Sequence, residues 1–133
     1  MPGFRESAVC HAPPEEVFKL LYDPSRFPEW WAGMDRVETG PGGGVTRFMS
    51  EWPDFPYPTQ VAVHREDGRV LLSCLLSDIR HDWRIAPHPA GCLVSVEVEV
   101  PEPEAHRIPA QRAEVVPSLR RLVARAEEVS RAG

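Results

Sequence analysis

The residue in this sequence with the clearest capacity for chemistry is His81. It alternates with Ile79, Trp83 and Ile85, so these four side chains share one face of a predicted strand. That face is more apolar than the opposite one, and we expect it to point inward. An inward histidine beside a tryptophan can hydrogen-bond a ligand or transfer a proton near neutral pH. The alternative is a histidine satisfied by the backbone or by solvent at the end of the sheet.

Aromatic side chains form a second candidate group. Trp30, Trp31, Trp52 and Trp83 are many tryptophans for 133 residues. Aromatic rings supply a large contact area at low entropic cost, so some of these are predicted to line a cavity and stack on a flat ligand, unless they only pack the core. Segment 52–58 contains three prolines and three aromatic residues. We predict a stiff loop at 53–56 that cannot continue a sheet.

Several other motifs are interpreted as structural. No histidines pair at metal-ligand spacing, so neither a metal nor another cofactor is expected. The run 42–44 is three glycines, but a strand and no Lys-Ser or Lys-Thr follows, which argues against a phosphate-binding loop. Cys10, Cys74 and Cys92 are an odd, widely spaced set that favours free thiols. Cys74 lies in a run too apolar to favour a thiolate.

Composition narrows the classes of function. A chain of 133 residues with 42% hydrophobic and 26% charged residues fits one globular domain, 1–133. The net charge of −5 argues against a nucleic-acid partner, which would need clustered Lys and Arg. The N-terminus carries no apolar signal region and no run is long enough to span a membrane, so a cytoplasmic protein is expected. Lys19 is the only lysine. Such a low lysine content is typical of proteins encoded by a GC-rich bacterial genome.

The candidate residues must be positioned by a sheet of short strands. A strand at 3–11 precedes a helix that opens at 12–16 and a second short helix at 24–31. Strands are then predicted at 34–39, 45–52, 57–65, 69–77, 79–86 and 92–100. Asp67-Gly68 predicts a two-residue hairpin turn. Asp82 is expected on the exposed face of its strand, in a weak ion pair with Arg80 or Arg84.

The last strand and the last helix complete the predicted architecture. Val94, Val96, Val98 and Val100 alternate with polar residues, so one face of the sheet is buried. From about 106 to 131 the apolar spacing becomes helical, and Pro117 either kinks that helix or marks its restart. A sheet with one wet face needs a cover for the other. The sequence therefore predicts an α+β fold in which a curved antiparallel sheet wraps a long C-terminal helix.

Three segments together resemble one known superfamily. They are 7–9 with 12–18, Asp23-Pro24 with 27–31, and 83–87 with 91–100. In these positions the chain is similar to the START-related, polyketide-cyclase-like proteins, abbreviated SRPBCC and also called helix-grip or pollen-allergen-like proteins. The resemblance implies a cavity between sheet and helix that holds a hydrophobic or aromatic small molecule. It also implies that Phe55 and Tyr57 lie near the cavity entrance.

Three functions remain open at this point. The leading hypothesis is binding or transport of a hydrophobic, lipid-like or polyketide-like molecule by Trp30, Trp31, Trp52, Phe55, Tyr57, His81, Trp83 and Ile85. The second is a cyclase or dehydratase acting on an aromatic metabolite, with His81 as acid or base and Arg47 polarising a carbonyl. The third is a regulatory or interaction protein with a vestigial cavity. The oligomeric state is left open, with a homodimer as one option.

Overall fold

Seven strands form one antiparallel sheet in this computed structural model, which describes residues 2–132. The strands are β1 (Gly3–Cys10), β2 (Met34–Thr39), β3 (Gly44–Met49), β4 (Trp52–His64), β5 (Arg69–Cys74), β6 (Arg80–His88) and β7 (Gly91–Glu99). Their order in the sheet is β1-β7-β6-β5-β4-β3-β2. Strands β2 to β7 are therefore a meander, as predicted, and β1 closes the far edge beside β7.

Two α-helices accompany the sheet. Helix α1 (Pro14–Tyr22) begins with proline in its first turn and two glutamates, which suit the positive end of the helix. A 3₁₀ segment, Pro24–Glu29, follows, capped by the Asp23 side chain on the Ser25 N–H. Helix α2 (Ile108–Ala132) packs against β1, β7 and α1. The predicted α+β architecture is confirmed.

The core lies between the concave face of the sheet and α2. The valines at 94, 96, 98 and 100 are all fully buried, as their alternation predicts. Leu119, Leu122 and Ala126 are the residues that α2 turns toward them at helical spacing. Pro117 lies inside one continuous helix. Because proline has no N–H, the carbonyl of Ala113 one turn earlier lacks its usual helical donor.

Two predictions about loops are wrong. Residues 53–56 belong to β4 and are not a separate loop. Strand β5 pairs with β4 only from Thr59 onward, so the prolines before it lie where that side of β4 has no ladder to complete. Asp67-Gly68 is not a two-residue turn either. A 3₁₀ turn at Arg65–Asp67 precedes Gly68, which has a left-handed φ of 60° and lies so close to Ile85 that a Cβ would be 2.6 Å from its carbonyl oxygen.

Candidate functional site

A cavity of about 540 Å³ lies between one end of the sheet and the first turns of α2. This volume is within the usual range for small-molecule sites, roughly 300–1,000 Å³. Strands β3 to β5 contribute Arg47, Met49, Tyr57 and Cys74 to its wall, and α2 contributes Ala110, Gln111, Ala113 and Glu114. An adjoining niche of only about 10 Å³ shares Arg47, Cys74 and Ile79 with the cavity and extends to Trp31 and His81. Apolar surface and a few charged groups thus face one partly open space.

Arg47 is the dominant charge in this space. Its side chain points inward from β3 and is only 8% exposed. Nε donates a 2.7 Å hydrogen bond to Thr59 Oγ1, and the guanidinium lies 4.7 Å from the centre of the Trp31 ring. Within residues 2–132 Arg47 forms no salt bridge, and its terminal nitrogens donate to no oxygen, the nearest acceptor being Met49 Sδ at 3.8 Å. A buried cation without a counter-ion is costly unless something else supplies one.

His81 lies in the niche next to this guanidinium. It is 7% exposed, and Nε2 is 2.8 Å from Gln111 Oε1 on α2. With the amide oxygen facing the ring, Nε2 is the donor and Nδ1 carries the lone pair. Burial lowers the pKa of His81 and Arg47 acts in the same direction, while Glu114 and the hydrogen bond to Gln111 oppose them without cancelling them. The imidazole is therefore neutral at pH 7.

Two hydrogen bonds fix the loop after the 3₁₀ segment to α2. Trp31 Nε1 donates to Glu114 Oε2 over 2.8 Å, and the Ala32 N–H donates to Ser118 Oγ over 2.9 Å. Ser118 in turn donates to the Glu114 carbonyl. These bonds hold the Trp31 ring between Arg47 and His81, whose imidazole centre is 5.7 Å away. The ring position is thus set by contacts across 83 and 86 residues of sequence.

Cys74 also faces the cavity, at the end of β5. A tight turn follows it, in which Cys74 N–H donates to Ile79 and its carbonyl accepts from Asp78. Burial alone would raise the pKa of this thiol, but hydrogen bonds from Ser77 and from the Leu76 N–H, with the Arg47 charge, outweigh it and lower the pKa. The sequence predicts an inert Cys74, whereas the turn that follows the apolar run acts in the opposite direction and lowers the pKa of the thiol.

The predicted site residues divide into three groups. Arg47, Trp52 and Tyr57 line the cavity, and Trp31 and His81 line the niche. Trp52 is 59% exposed and so lies at the cavity opening. Phe55 does not line the cavity. It is half exposed, with its ring 4.9 Å from that of Tyr57.

Trp30, Trp83 and Ile85 lie elsewhere, in the core. Trp30 donates from Nε1 to the Leu20 carbonyl at 2.8 Å, and its ring meets Trp83 edge-on at 5.2 Å. Trp83 is 1% exposed and does not border the cavity. Its strand face is inward, as predicted. At this position along the strand, however, the aromatic cluster around Trp30 fills the space next to the inner face of the sheet. Trp30, Trp83 and Ile85 therefore pack in the core.

Sequence reasoning missed Thr59, Gln111 and Glu114. Their only signal is that Gln111 and Glu114 are three residues apart on one helix face, a spacing that many exposed helices share. It also misjudged Asp82, which is 8% exposed and accepts hydrogen bonds from Arg69 and Arg84. Asp82 does lie on the outer face. Two long arginine side chains cover it there.

Residues 2–132 contain no group of three His, Cys, Asp or Glu side chains arranged to hold a metal ion. No helix in that range is both long and apolar enough to cross a membrane.

Comparisons with known proteins identify the fold and the family of the chain. The solved structures that match include the KanY protein, with 15% identity over 95% of this chain and 97% of that one, at a TM-score of 0.76. A protein of Chromobacterium violaceum, CV1439, matches with 18% identity over 96% and 99% of the two chains, at a TM-score of 0.71. These likenesses show a shared fold.

A further match is the di-domain ARO/CYC protein BexL from the BE-7585A biosynthetic pathway. The identity is 13% and the TM-score 0.79, over 96% of this chain but 47% of BexL, so this chain spans about half of that protein. No curated protein matches the sequence significantly. The family model described as polyketide cyclase / dehydrase and lipid transport matches residues 1–127. With that match across nearly its whole length, the chain belongs to the polyketide cyclase / dehydrase and lipid transport family and has the helix-grip fold of its structural neighbours.

Proposed function

We propose that this protein binds a flat aromatic metabolite carrying a carbonyl or phenolic oxygen. The observation that supports it is Arg47, a buried guanidinium that faces a cavity of about 540 Å³ and holds no carboxylate within residues 2–132. A ligand oxygen would supply the missing acceptor. A hydrogen bond to a charged group contributes about 1.5–3 kcal/mol, enough to select for it.

The remaining wall favours a flat molecule. The rings of Trp31 and Tyr57 both lie close to the guanidinium, with ring centres 4.7 and 5.4 Å from it. A planar ligand that reaches Arg47 with its oxygen therefore contacts aromatic surfaces on the way. Binding fits the arrangement better than catalysis. Glu114 is already bonded to Trp31 and His81 to Gln111, so neither is free to act alone.

The test is a titration of tryptophan fluorescence with 1-hydroxyanthraquinone and with anthracene, which lacks the oxygens. We expect micromolar binding of the first compound. Arg47→Met should weaken it about 10- to 100-fold, the loss of one charge-assisted hydrogen bond, and leave anthracene unchanged. Arg80→Met is the matched control, because Arg80 is exposed outside the cavity. Equal affinities of the two compounds for the native protein would contradict the proposal, and a preference for palmitate over both would identify a lipid instead.

A second candidate is dehydration of a β-hydroxy aryl ketone. The observation that favours it is the neutral His81 in the same niche as Arg47. Arg47 would polarise the carbonyl while His81 took a proton from the adjacent carbon and returned it to the β-hydroxyl group, which would leave as water as the C=C bond formed. Formation of the conjugated enone can be followed by its absorbance. Turnover that His81→Gln abolishes would establish the enzyme, and binding without turnover would leave the carrier. No binding at all would favour the interaction protein.

A further inference from the structure

We propose that Cys74 is a covalent attachment site for α,β-unsaturated carbonyl compounds that enter the cavity. The proposal deepens the one above, because it names a reactive subclass of oxygen-bearing ligands and relies on the same cavity. Its starting point is that one cysteine of the chain faces the space that Arg47 also faces. The other two cysteines, Cys10 and Cys92, are fully buried where β1 pairs with β7.

The turn after β5 favours the thiolate form of Cys74. Residues 75–78 reverse the chain tightly, with the Asp78 N–H bonded to the Cys74 carbonyl at 2.9 Å and Asp78 itself at a left-handed φ of 60°. Burial would raise the pKa of the Cys74 thiol, but the Ser77 side chain, the backbone N–H groups of Ser77 and Leu76 in this turn, and the Arg47 charge lower it. Such donors stabilise a thiolate, which is the nucleophilic form of cysteine.

Arg47 is the second, independent observation. As a residue Arg47 is 8% exposed, lines both the cavity and the niche beside Cys74, and donates to no oxygen from its terminal nitrogens within the described chain. The two residues are linked through Thr59, which lies directly opposite Cys74 in the β4–β5 ladder and accepts the Arg47 Nε hydrogen bond. A nucleophile and a buried oxygen-binding cation thus border one niche.

An enone uses both groups at once. The Cys74 thiol loses its proton to solvent, and the thiolate attacks the β-carbon of the ligand. A carbon–sulfur bond forms while the electron pair of the C=C bond moves onto the carbonyl oxygen, where Arg47 stabilises the enolate. The α-carbon then takes a proton from water. The thiol has been added across the double bond, and nothing is oxidised or reduced.

The charged and titratable groups around the sulfur come from three directions. Arg47 on β3 favours the thiolate, and His81 on β6 is neutral at pH 7. Glu51 and Tyr57 also line the cavity, and on its helical side lie Glu114 on α2, bonded to Trp31, and Arg107, paired with Glu104. Cys10 provides the contrast, since burial raises the pKa of its thiol to about 12.

The experiment compares benzylideneacetone, an aryl enone, with 4-phenyl-2-butanone, its saturated analogue. Intact-protein mass spectrometry should give a single adduct with the enone, mapped to Cys74, and none in Cys74→Ser. We expect Cys74 to react at least about tenfold faster than glutathione at pH 7, with a rate that levels off below the ordinary thiol pKa of about 8.5. Adducts at Cys10 or Cys92, or a rate equal to that of glutathione, would overturn the proposal.

A second reagent isolates the role of Arg47. 2,2′-Dithiodipyridine reacts with thiolates but has no carbonyl, so it reports the nucleophile alone. Arg47→Met should slow the enone by a factor at least about ten times larger than its effect on the disulfide reagent. Equal slowing would remove Arg47 from the addition step. If 4-phenyl-2-butanone binds reversibly and the enone does not add, only the covalent proposal fails. If neither ketone binds, the proposed function fails with it.

Discussion

Arg47 and Asp82 are buried charges on opposite faces of the sheet, and they differ in whether the fold supplies a counter-ion. Each is 8% exposed. Asp82, on the outer face of β6, accepts hydrogen bonds from Arg69 at 2.9 and 3.1 Å and from Arg84 at 3.1 Å. Arg47, on the inner face of β3, has one hydroxyl partner, Thr59, and no carboxylate in the described chain. The fold therefore neutralises Asp82, whereas Arg47 faces the cavity without a counter-ion from the described chain.

The difference matches a structural role for Asp82 and the binding role that we propose for Arg47. A buried charge with all its partners fixes neighbouring strands, since Arg69 reaches Asp82 from β5 and Arg84 from its own strand. A buried charge without a counter-ion costs free energy that folding alone does not recover. Such a group is retained where a ligand completes it, which is why pockets with convergent polar groups are candidate sites.

The largest expected effect is a loss of stability when Asp82, the neutralised charge, is replaced. Burial would raise the pKa of Asp82, but the hydrogen bonds from Arg69 and Arg84 outweigh it and lower the pKa, so the folded state favours the charged carboxylate. Asp82→Asn should lower the free energy of unfolding at pH 7 by about 2 kcal/mol, less than for a fully buried pair because both arginines are partly exposed. Thermal and urea unfolding measure it.

The control for this variant is Glu99→Gln. Glu99 lies 4.0 Å from Arg80, and both side chains are well exposed. Its replacement should change stability by less than about 0.5 kcal/mol. If Asp82→Asn is no more destabilising than this control, the two arginines do not stabilise the outer face and the contrast with Arg47 loses its basis.

A smaller effect is expected from His81 and depends on pH. Its pKa is about 6.5 when unfolded and lower when folded, mainly because of burial. As pH falls through 6.5 the unfolded chain takes up a proton that the folded protein does not, so stability falls. The loss between pH 7.5 and 5.5 should be roughly 1 kcal/mol. His81→Gln should remove it, while the exposed His64→Gln keeps the native slope. Parallel slopes in all three proteins would mean that His81 protonates freely in the folded state.

The two sides of the comparison also differ in how far sequence could predict them. Alternation placed His81 inward and Asp82 outward, and both are so placed. Alternation carries no information about diagonal neighbours, so the arginine that reaches Asp82 from β5 was missed. Alternation also does not predict the contact between His81 and Gln111, because these residues are 30 positions apart in the sequence. Trp83 looked like a ligand contact because a tryptophan suits a core and a cavity equally well.

The smallest expected effect is the sharpest test, because it concerns the stability of Arg47→Met. If Arg47 is present for a ligand, its removal relieves an uncompensated buried charge and replaces it with apolar volume of similar length. Replacing buried charges with apolar side chains is often neutral or stabilising by about 1–4 kcal/mol. Loss of the Thr59 hydrogen bond and of the contact with Trp31 offsets part of that gain by about 1–2 kcal/mol. We therefore expect a free energy of unfolding that is unchanged or slightly higher without ligand.

Arg69→Met, the same substitution at a paired arginine, should be destabilising by about 1 kcal/mol. Chemical denaturation of both variants decides the matter: if Arg47→Met loses as much stability as Arg69→Met, Arg47 holds the fold together, and its open terminal nitrogens are no longer an argument for a ligand.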